Sequence, residues 1–155
     1  MAERRQLIVA APDAGAELLL DPAAAPRLAR SDPQLEIVLV LSDPVEHYLA
    51  ELAARRARRR PQGATIHMAD VAQACRLGTQ LRLLHTFFGP ERVRVDQRAS
   101  AGAPAGELWP DLAAALRGLL APELELLLAL APSVDLARWP AARRLIGDRA
   151  MLRPA

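Results

Sequence analysis

Apolar residues along this chain fall into short continuous runs and longer stretches that recur every three or four positions. Ile37-Val38-Leu39-Val40-Leu41 is the clearest continuous run, and it ends abruptly at Ser42-Asp43-Pro44. Uninterrupted aliphatic and β-branched residues of that length predict a strand buried on both faces of a parallel sheet. Asp43 then predicts a helix cap, Pro44 suits the first helical position, and Glu46 completes a capping box. Val45, Tyr48, Leu49 and Leu52 follow at helical spacing. A buried strand thus delivers the chain to its carboxyl end, and a helix begins at once. In open α/β sheets, ligands bind at that edge.

The same reading extends along the chain. Gln6 to Ala10 predicts a first buried strand, and Pro22 to Arg30 a short helix capped by Asp21. Leu35 to Leu41 is the second strand. Pro44 to Arg59 is a helix, broken by Pro61-Gln62-Gly63. Ala69 to Phe88 reads as one long helix, with Val71, Ala74, Leu77, Leu81, Leu84 and Phe88 on one face. Gly89-Pro90 ends it, and Val93 and Val95 mark a short strand. Ala99 to Gly106, rich in Ala and Gly, predicts a mobile loop. Pro110 to Leu120 and Pro122 to Leu130 read as two helices, each opened by a proline, and Ala141 to Ile146 as a short one. Alternating strands and helices predict an α/β fold, a small parallel sheet covered by helices, with Leu7 to Ala10 beside Ile37 to Leu41. Residues 1–132 form the expected α/β domain. Residues 133–155 form a helical tail, packed on that domain or on a partner.

Composition narrows the chemistry. The chain has 155 residues, 52% hydrophobic but only 3% aromatic, so Leu, Val and Ala must build the core. All 20 basic residues are arginine. The absence of lysine excludes a P-loop lysine, a Schiff-base lysine and a lysine general base. A net charge of +2 argues against nucleic acid as the partner, although the pI of about 9.4 permits it. Scarce aromatics weaken single-strand binding further. Cys75 is the only cysteine, which excludes an intramolecular disulfide and points to a reduced, cytoplasmic setting. No apolar run suits a membrane span, and the stretch after Arg4 and Arg5 is too short for a signal peptide.

Several residues carry two readings each. Arg55, Arg56, Arg58, Arg59 and Arg60 form the densest charge. Arginines complement the dipole at a helix carboxyl end, and Glu51 lies one turn before Arg55. Their forks also match phosphate oxygens, so Arg55, Arg56, Arg59 and Arg60 are candidate anion ligands. His47 follows the strand-helix turn and is either an exposed helix residue or a base. His67, His85 and Cys75 complete no zinc spacing, so no metal is expected. His85 and Cys75 read as packing residues. Ser42 lies in no Gly-x-Ser-x-Gly elbow and has no nearby His-Asp arrangement, which leaves a hydrolase triad unsupported. Asp13, Glu17, Asp21 and Asp43 either gather at the carboxyl edge of the strands, ready for a cation or a basic partner, or serve as loop and cap residues.

Three segments carry a family resemblance. Ser42-Asp43-Pro44-Val45-Glu46 resembles the Arg-Asp-Pro-Val-Glu segment of sulfotransferases that use the donor PAPS. Gln80-Leu81 through Phe88-Gly89-Pro90-Glu91-Arg92-Val93-Arg94-Val95 resembles that family's helix ending in Phe-Gly, then Glu-Arg-Val and a strand. Leu20-Asp21-Pro22 with Pro26, Arg27, Ala29 and Arg30 resembles the approach to the strand that holds the donor's 3′-phosphate. Their order and spacing cover residues 6 to 120.

The resemblance implies a P-loop-like sulfotransferase topology in reduced form. It also implies PAPS as donor, a hydroxyl or amine acceptor, and a donor site at Pro12, Asp13, Gly15, Ser42 and Asp43. Positioning and charge stabilisation would carry such a transfer. The matching positions depart from the family. Asp13 stands where the donor loop has lysine, and Ala16 and Glu17 where it has threonines. Ser42 replaces the arginine of the 3′-phosphate turn, and Ala50 falls near the position of its serine. The departures imply a degenerate donor site. The alternative is a non-catalytic relative, a pseudoenzyme that binds a partner protein, a further copy of itself, or a nucleotide or other anionic ligand.

Overall fold

The computed structural model describes residues 5–12, 21, 23–57, 68–102 and 110–147; side chains 55, 56 and 68–70 lie outside that description. Three parallel strands form the sheet in the order β1 (Gln6–Ala11), β2 (Glu36–Leu41), β3 (Val93–Gln97). Leu7 pairs with Ile37 and Ala11 with Leu41; Ile37 pairs in turn with Val93 and Leu41 with Gln97. The two apolar runs are therefore adjacent and parallel, as their pattern predicts. Helix α1 (Ala24–Ser31) crosses from β1 to β2. Helices α2 (Pro44–Ala57), α3 (Met68–Ala74) and α4 (Leu77–Phe88) lie between β2 and β3. Helices α5 (Pro110–Leu130) and α6 (Pro140–Ile146) follow.

The core sits on one face of the sheet. Ile37, Leu39 and Leu41 of the central strand are all 0% exposed, and Val9, Ala11 and Val93 flank them. Leu81, Leu84 and Phe88 of α4 and Leu116, Leu120, Leu124 and Leu127 of α5 close over that face. Trp139 and Leu145 belong to the same cluster. Each fully buried side chain of this size contributes about 1.5–3 kcal/mol.

Three expectations are corrected. The first strand is not buried on both faces. Ile8 is 68% exposed, because among the described residues β1 is an edge strand and its outer side is uncovered. Only the central strand matches the continuous-run pattern, with Val38 buried on the outer face as well.

The long helix is two, broken at Cys75-Arg76. Arg76 leaves the helical region at φ −81°, ψ 62°. Polar side chains hold the break open. Gln80 Nε2 donates to the carbonyls of Gln73 and Ala74, at 3.2 and 3.0 Å. Glu123 of α5 accepts from the Thr79 backbone N–H at 2.8 Å and from the Thr79 hydroxyl at 2.7 Å. Arg76 Nε donates to the same carboxylate at 3.1 Å. Glu123 thus caps α4 from another helix. Gly78 lets the helices approach; a Cβ there would meet the Glu123 carbonyl oxygen and lie 2.9 Å from Leu126 Cβ. All six apolar residues assigned to one face are buried nonetheless.

The two proline-opened helices are one. Pro122 lies inside α5. A proline costs an interior helix bond. Here it is exposed, while the buried stripe Leu116, Leu120, Leu124, Leu127 runs unbroken past it. Packing of the whole stripe outweighs the local penalty. The helix expected from Pro22 begins at Ala24, where Asp21 Oδ1 accepts the Ala23 N–H at 2.9 Å and Asp21 Oδ2 pairs with Arg27 at 2.7 Å. Gly89, at φ +81°, ends α4 as expected, its N–H donating to the His85 carbonyl. The stretch 58–67 and the second half of the Ala/Gly-rich loop, 103–106, lie outside the described residues.

Candidate ligand-binding edge

The site is built where β1, β2 and β3 end. The register of the sheet continues past the strands. Ser42 N–H donates to the Ala11 carbonyl at 2.9 Å, and Arg98 N–H to the Leu41 carbonyl at 2.8 Å. The three exits are therefore stitched side by side, with Ser42 next to Arg98. Pro12 is buried at the first exit and Ser42 is half-buried at the second; Arg98 is exposed at the third.

Asp43 is the structural centre of this edge. It is 2% exposed. Its Oδ1 accepts from the backbone N–H groups of Val45 at 2.9 Å and Glu46 at 3.2 Å, as the capping pattern predicts. Its Oδ2 accepts from Ala141 and Ala142, both at 3.2 Å, in the first turn of α6. One carboxylate caps two helices. Burial pushes its pKa up from the ordinary aspartate value, and the Glu46 charge adds to that rise. The backbone donors, Glu46 foremost, pull it back down but do not offset the burial.

Neighbouring groups close around it. Cys75 Sγ donates to the Pro44 carbonyl at 3.3 Å. Burial, with the Asp43 charge nearby, pushes the Cys75 thiol up to about 12. Glu46, at the third helical position, turns one oxygen to the Ser100 hydroxyl at 2.6 Å.

The exit of β3 is zipped to the turn before α6. Gln97 Nε2 donates to the Asp135 carbonyl and Gln97 Oε1 accepts the Asp135 N–H, both at 2.8 Å. The Trp139 indole N–H donates to the Arg98 carbonyl at 2.9 Å, and Ser100 N–H to the Arg138 carbonyl at 3.1 Å. Arg98 and Arg138, both exposed, are thereby held on adjacent backbone segments.

The sequence-predicted residues meet this geometry unevenly. Ser42 and Asp43 share the turn, and Pro12 lies beside Ser42 at the adjacent exit of β1. Asp13 and Gly15 lie outside the described residues, as do Glu17, Arg59, Arg60 and His67. Arg55 and Arg56 occupy the last turn of α2, at the far end of that helix from Ser42. His47 is half-buried in the first turn of α2, with its N–H on the Asp43 carbonyl at 3.0 Å. His85 lies on α4, where burial lowers its pKa and Glu91 partly raises it. Among the described residues no group of His, Cys, Asp or Glu gathers as a metal site, and no helix is long and apolar enough to cross a membrane. Arg98, Ser100 and Arg138 were not among the sequence candidates. Arg98 could have been found by carrying the β3 strand one residue further, to the edge where ligands bind.

No family model matches the chain, and no curated protein does. Among solved structures, the fold is similar to the crystal structure of a sulfotransferase from Alicyclobacillus acidocaldarius, with a TM-score of 0.57 and 20% identity over 79% of this chain. The chain spans 64% of the length of that protein. The likeness is one of fold: a small parallel sheet covered by helices, in a reduced P-loop-like sulfotransferase arrangement.

Proposed function

We propose that this chain is a sulfotransferase-like protein whose donor site is degenerate and whose strand-exit edge serves anion binding. One observation carries the reading. The turn matching the family's donor turn offers a serine hydroxyl and an aspartate already spent on four backbone N–H groups. No cation comes from Ser42 to Glu46. Those residues do not fit the 3′-phosphate of PAPS, which needs a guanidinium or free donors at that point. Asp13, in sequence, adds a like charge where the phosphosulfate would approach. A lost charged hydrogen bond costs about 1.5–3 kcal/mol. Two such losses plus repulsion weaken donor binding by several powers of ten.

Calorimetry with adenosine 3′,5′-bisphosphate, the desulfated donor, tests the reading. No saturable binding at micromolar concentration is expected from the unmodified protein. Ser42→Arg with Asp13→Lys should create or improve it. Micromolar binding by the unmodified chain would restore sulfuryl transfer from PAPS to a hydroxyl or amine as the leading function. A partner-protein role leads if neither form binds the bisphosphate and the protein binds no simpler anion.

A further inference from the structure

We infer that β1 is an interface between two copies of this chain, joined edge to edge by antiparallel pairing of Gln6–Ala11 with the same strand of a second molecule. The surface lies apart from the strand exits, and its role does not depend on what those exits bind.

The Arg5 carbonyl accepts from the Glu36 N–H at 3.0 Å, and the Ala11 carbonyl from the Ser42 N–H at 2.9 Å. In a parallel ladder the N–H and C=O of one residue face the same neighbour, and successive residues alternate sides. Residues 5, 7, 9 and 11 therefore serve β2. Gln6, Ile8 and Ala10 turn their backbone groups to the other side, where among the described residues no strand lies. Pro12, next in that series, has no N–H and ends the row.

The two edges of the sheet differ. β3 carries Arg94 and Asp96, paired at 2.9 Å, and its exit is tied through Gln97 to Asp135. Charges and covering segments protect an edge from pairing with another chain. β1 carries no such device. Its sequence Gln-Leu-Ile-Val-Ala-Ala holds no charge and no proline, and Ile8 at its middle is 68% exposed.

Self-complementarity favours a second copy over any other strand. Two-fold pairing about Ile8 sets Ile8 against Ile8 of the second copy and Gln6 against its Ala10, so all three outward residues exchange both hydrogen bonds. An axis at Val9 would instead set Gln6 against Pro12, which has no N–H to give. Within the chain Ile8 pairs with Val38, which is buried. The outer face of the joined sheet thus gains an apolar row of Val38 and Ile8 from each copy. On the core face, half-buried Leu7 comes opposite Val9 of the second copy and extends both cores. One strand pair is small beside the about 1,200 Å² of total surface that stable interfaces bury, so a dimer half-formed on the order of tens of micromolar is expected.

Sedimentation velocity of the full chain over a concentration series should show that dimer. Ile8→Lys should raise its dissociation constant about tenfold or more, because two like charges would face each other across the axis. Ala50→Lys, the same added charge on the exposed side of α2, should leave it unchanged. Each variant's thermal midpoint checks that the fold is kept. Cross-linking reads the register. Ile8→Cys should oxidise to a disulfide-linked dimer, since directly opposed residues lie about 5.5 Å apart. Ala10→Cys should not, because its two copies stand about 13 Å apart along the strands. Cys75, 1% exposed, does not compete. A protein that stays monomeric up to about 500 µM overturns the inference. So does a dimer that survives Ile8→Lys, or cross-linking that is equal at positions 8 and 10. A monomer whose Ile8 amide exchanges slowly overturns it as well, because the edge would then be filled within the chain.

Discussion

Asp43 Oδ2 lies 3.2 Å from the backbone nitrogen of Ala142, 99 positions further along the chain. Through that contact the turn after the central strand holds the amino end of α6, while Oδ1 holds the amino end of α2. The aspartate that sequence reading places in a donor site thus has a structural duty that fills both its oxygens.

Asp43 variants should separate the two caps. Loss of an N-cap costs about 0.5–2 kcal/mol. Asp43→Ala removes both, so a destabilisation of about 2–4 kcal/mol is expected, including the unsatisfied buried donors. Asp43→Asn retains one carbonyl oxygen and can cap one helix only, so it should cost about half as much. Urea unfolding measures both. Equal costs for the two variants would mean that a single helix depends on this residue.

The charge of Asp43 also predicts a pH response. Its folded pKa is raised above the usual 3.8. A raised carboxyl binds its proton more tightly in the folded state, so its contribution to stability is full below 3.8 and is lost as pH rises through the folded value. The midpoint of the wild type relative to Asp43→Asn should therefore improve on acidification through the window just above 3.8. Asp21, exposed and lowered by the Ala23 N–H and Arg27, works in the opposite sense, but it is common to both proteins. A relative loss on acidification would show that the helix dipoles and four N–H donors outweigh burial.

Legibility in the sequence followed the range of the interactions. The parallel strands, the Asp43 cap of α2, the Gly89 stop and the apolar face from Val71 to Phe88 were all readable, because each rests on local pattern. The break at Cys75-Arg76 was not. It depends on Glu123, a residue 44 positions from the Thr79 it caps. Pro122 misled for the converse reason: a local helix-breaker was overruled by a buried leucine stripe. At the edge, the Ser42-Asp43 turn was legible, but the second pair of donors on Asp43 and the placing of Arg138 beside Arg98 come from α6 and its preceding turn. No spacing rule connects those segments.

Cys75 should be chemically silent in the folded protein. Its thiol is 1% exposed and pushed up to about 12, and only the thiolate reacts with disulfide reagents. At neutral pH, labelling with an aromatic disulfide should proceed at the rate of unfolding and become rapid in denaturant. Asp43→Ala should accelerate native labelling, because it loosens the turn whose Pro44 carbonyl accepts from Sγ and removes a charge that disfavours the thiolate. Fast stoichiometric labelling of the unmodified protein would contradict the burial and the polar contact alike.

The arginine run offers a separate test of polyanion binding, distinct from the sheet edge. Arg55 and Arg56 end α2 at the opposite end from Ser42, and in sequence Arg58, Arg59 and Arg60 follow at once. If the run binds polyanions, replacing Arg55, Arg56, Arg59 and Arg60 by Gln should abolish retention on heparin while the thermal midpoint stays within a few degrees. Retention by the unmodified protein should also fall steeply with salt, since each sulfate contact releases counterions. Heparin retention that survives loss of the four arginines would leave them the simpler role of complementing the carboxyl end of the α2 dipole.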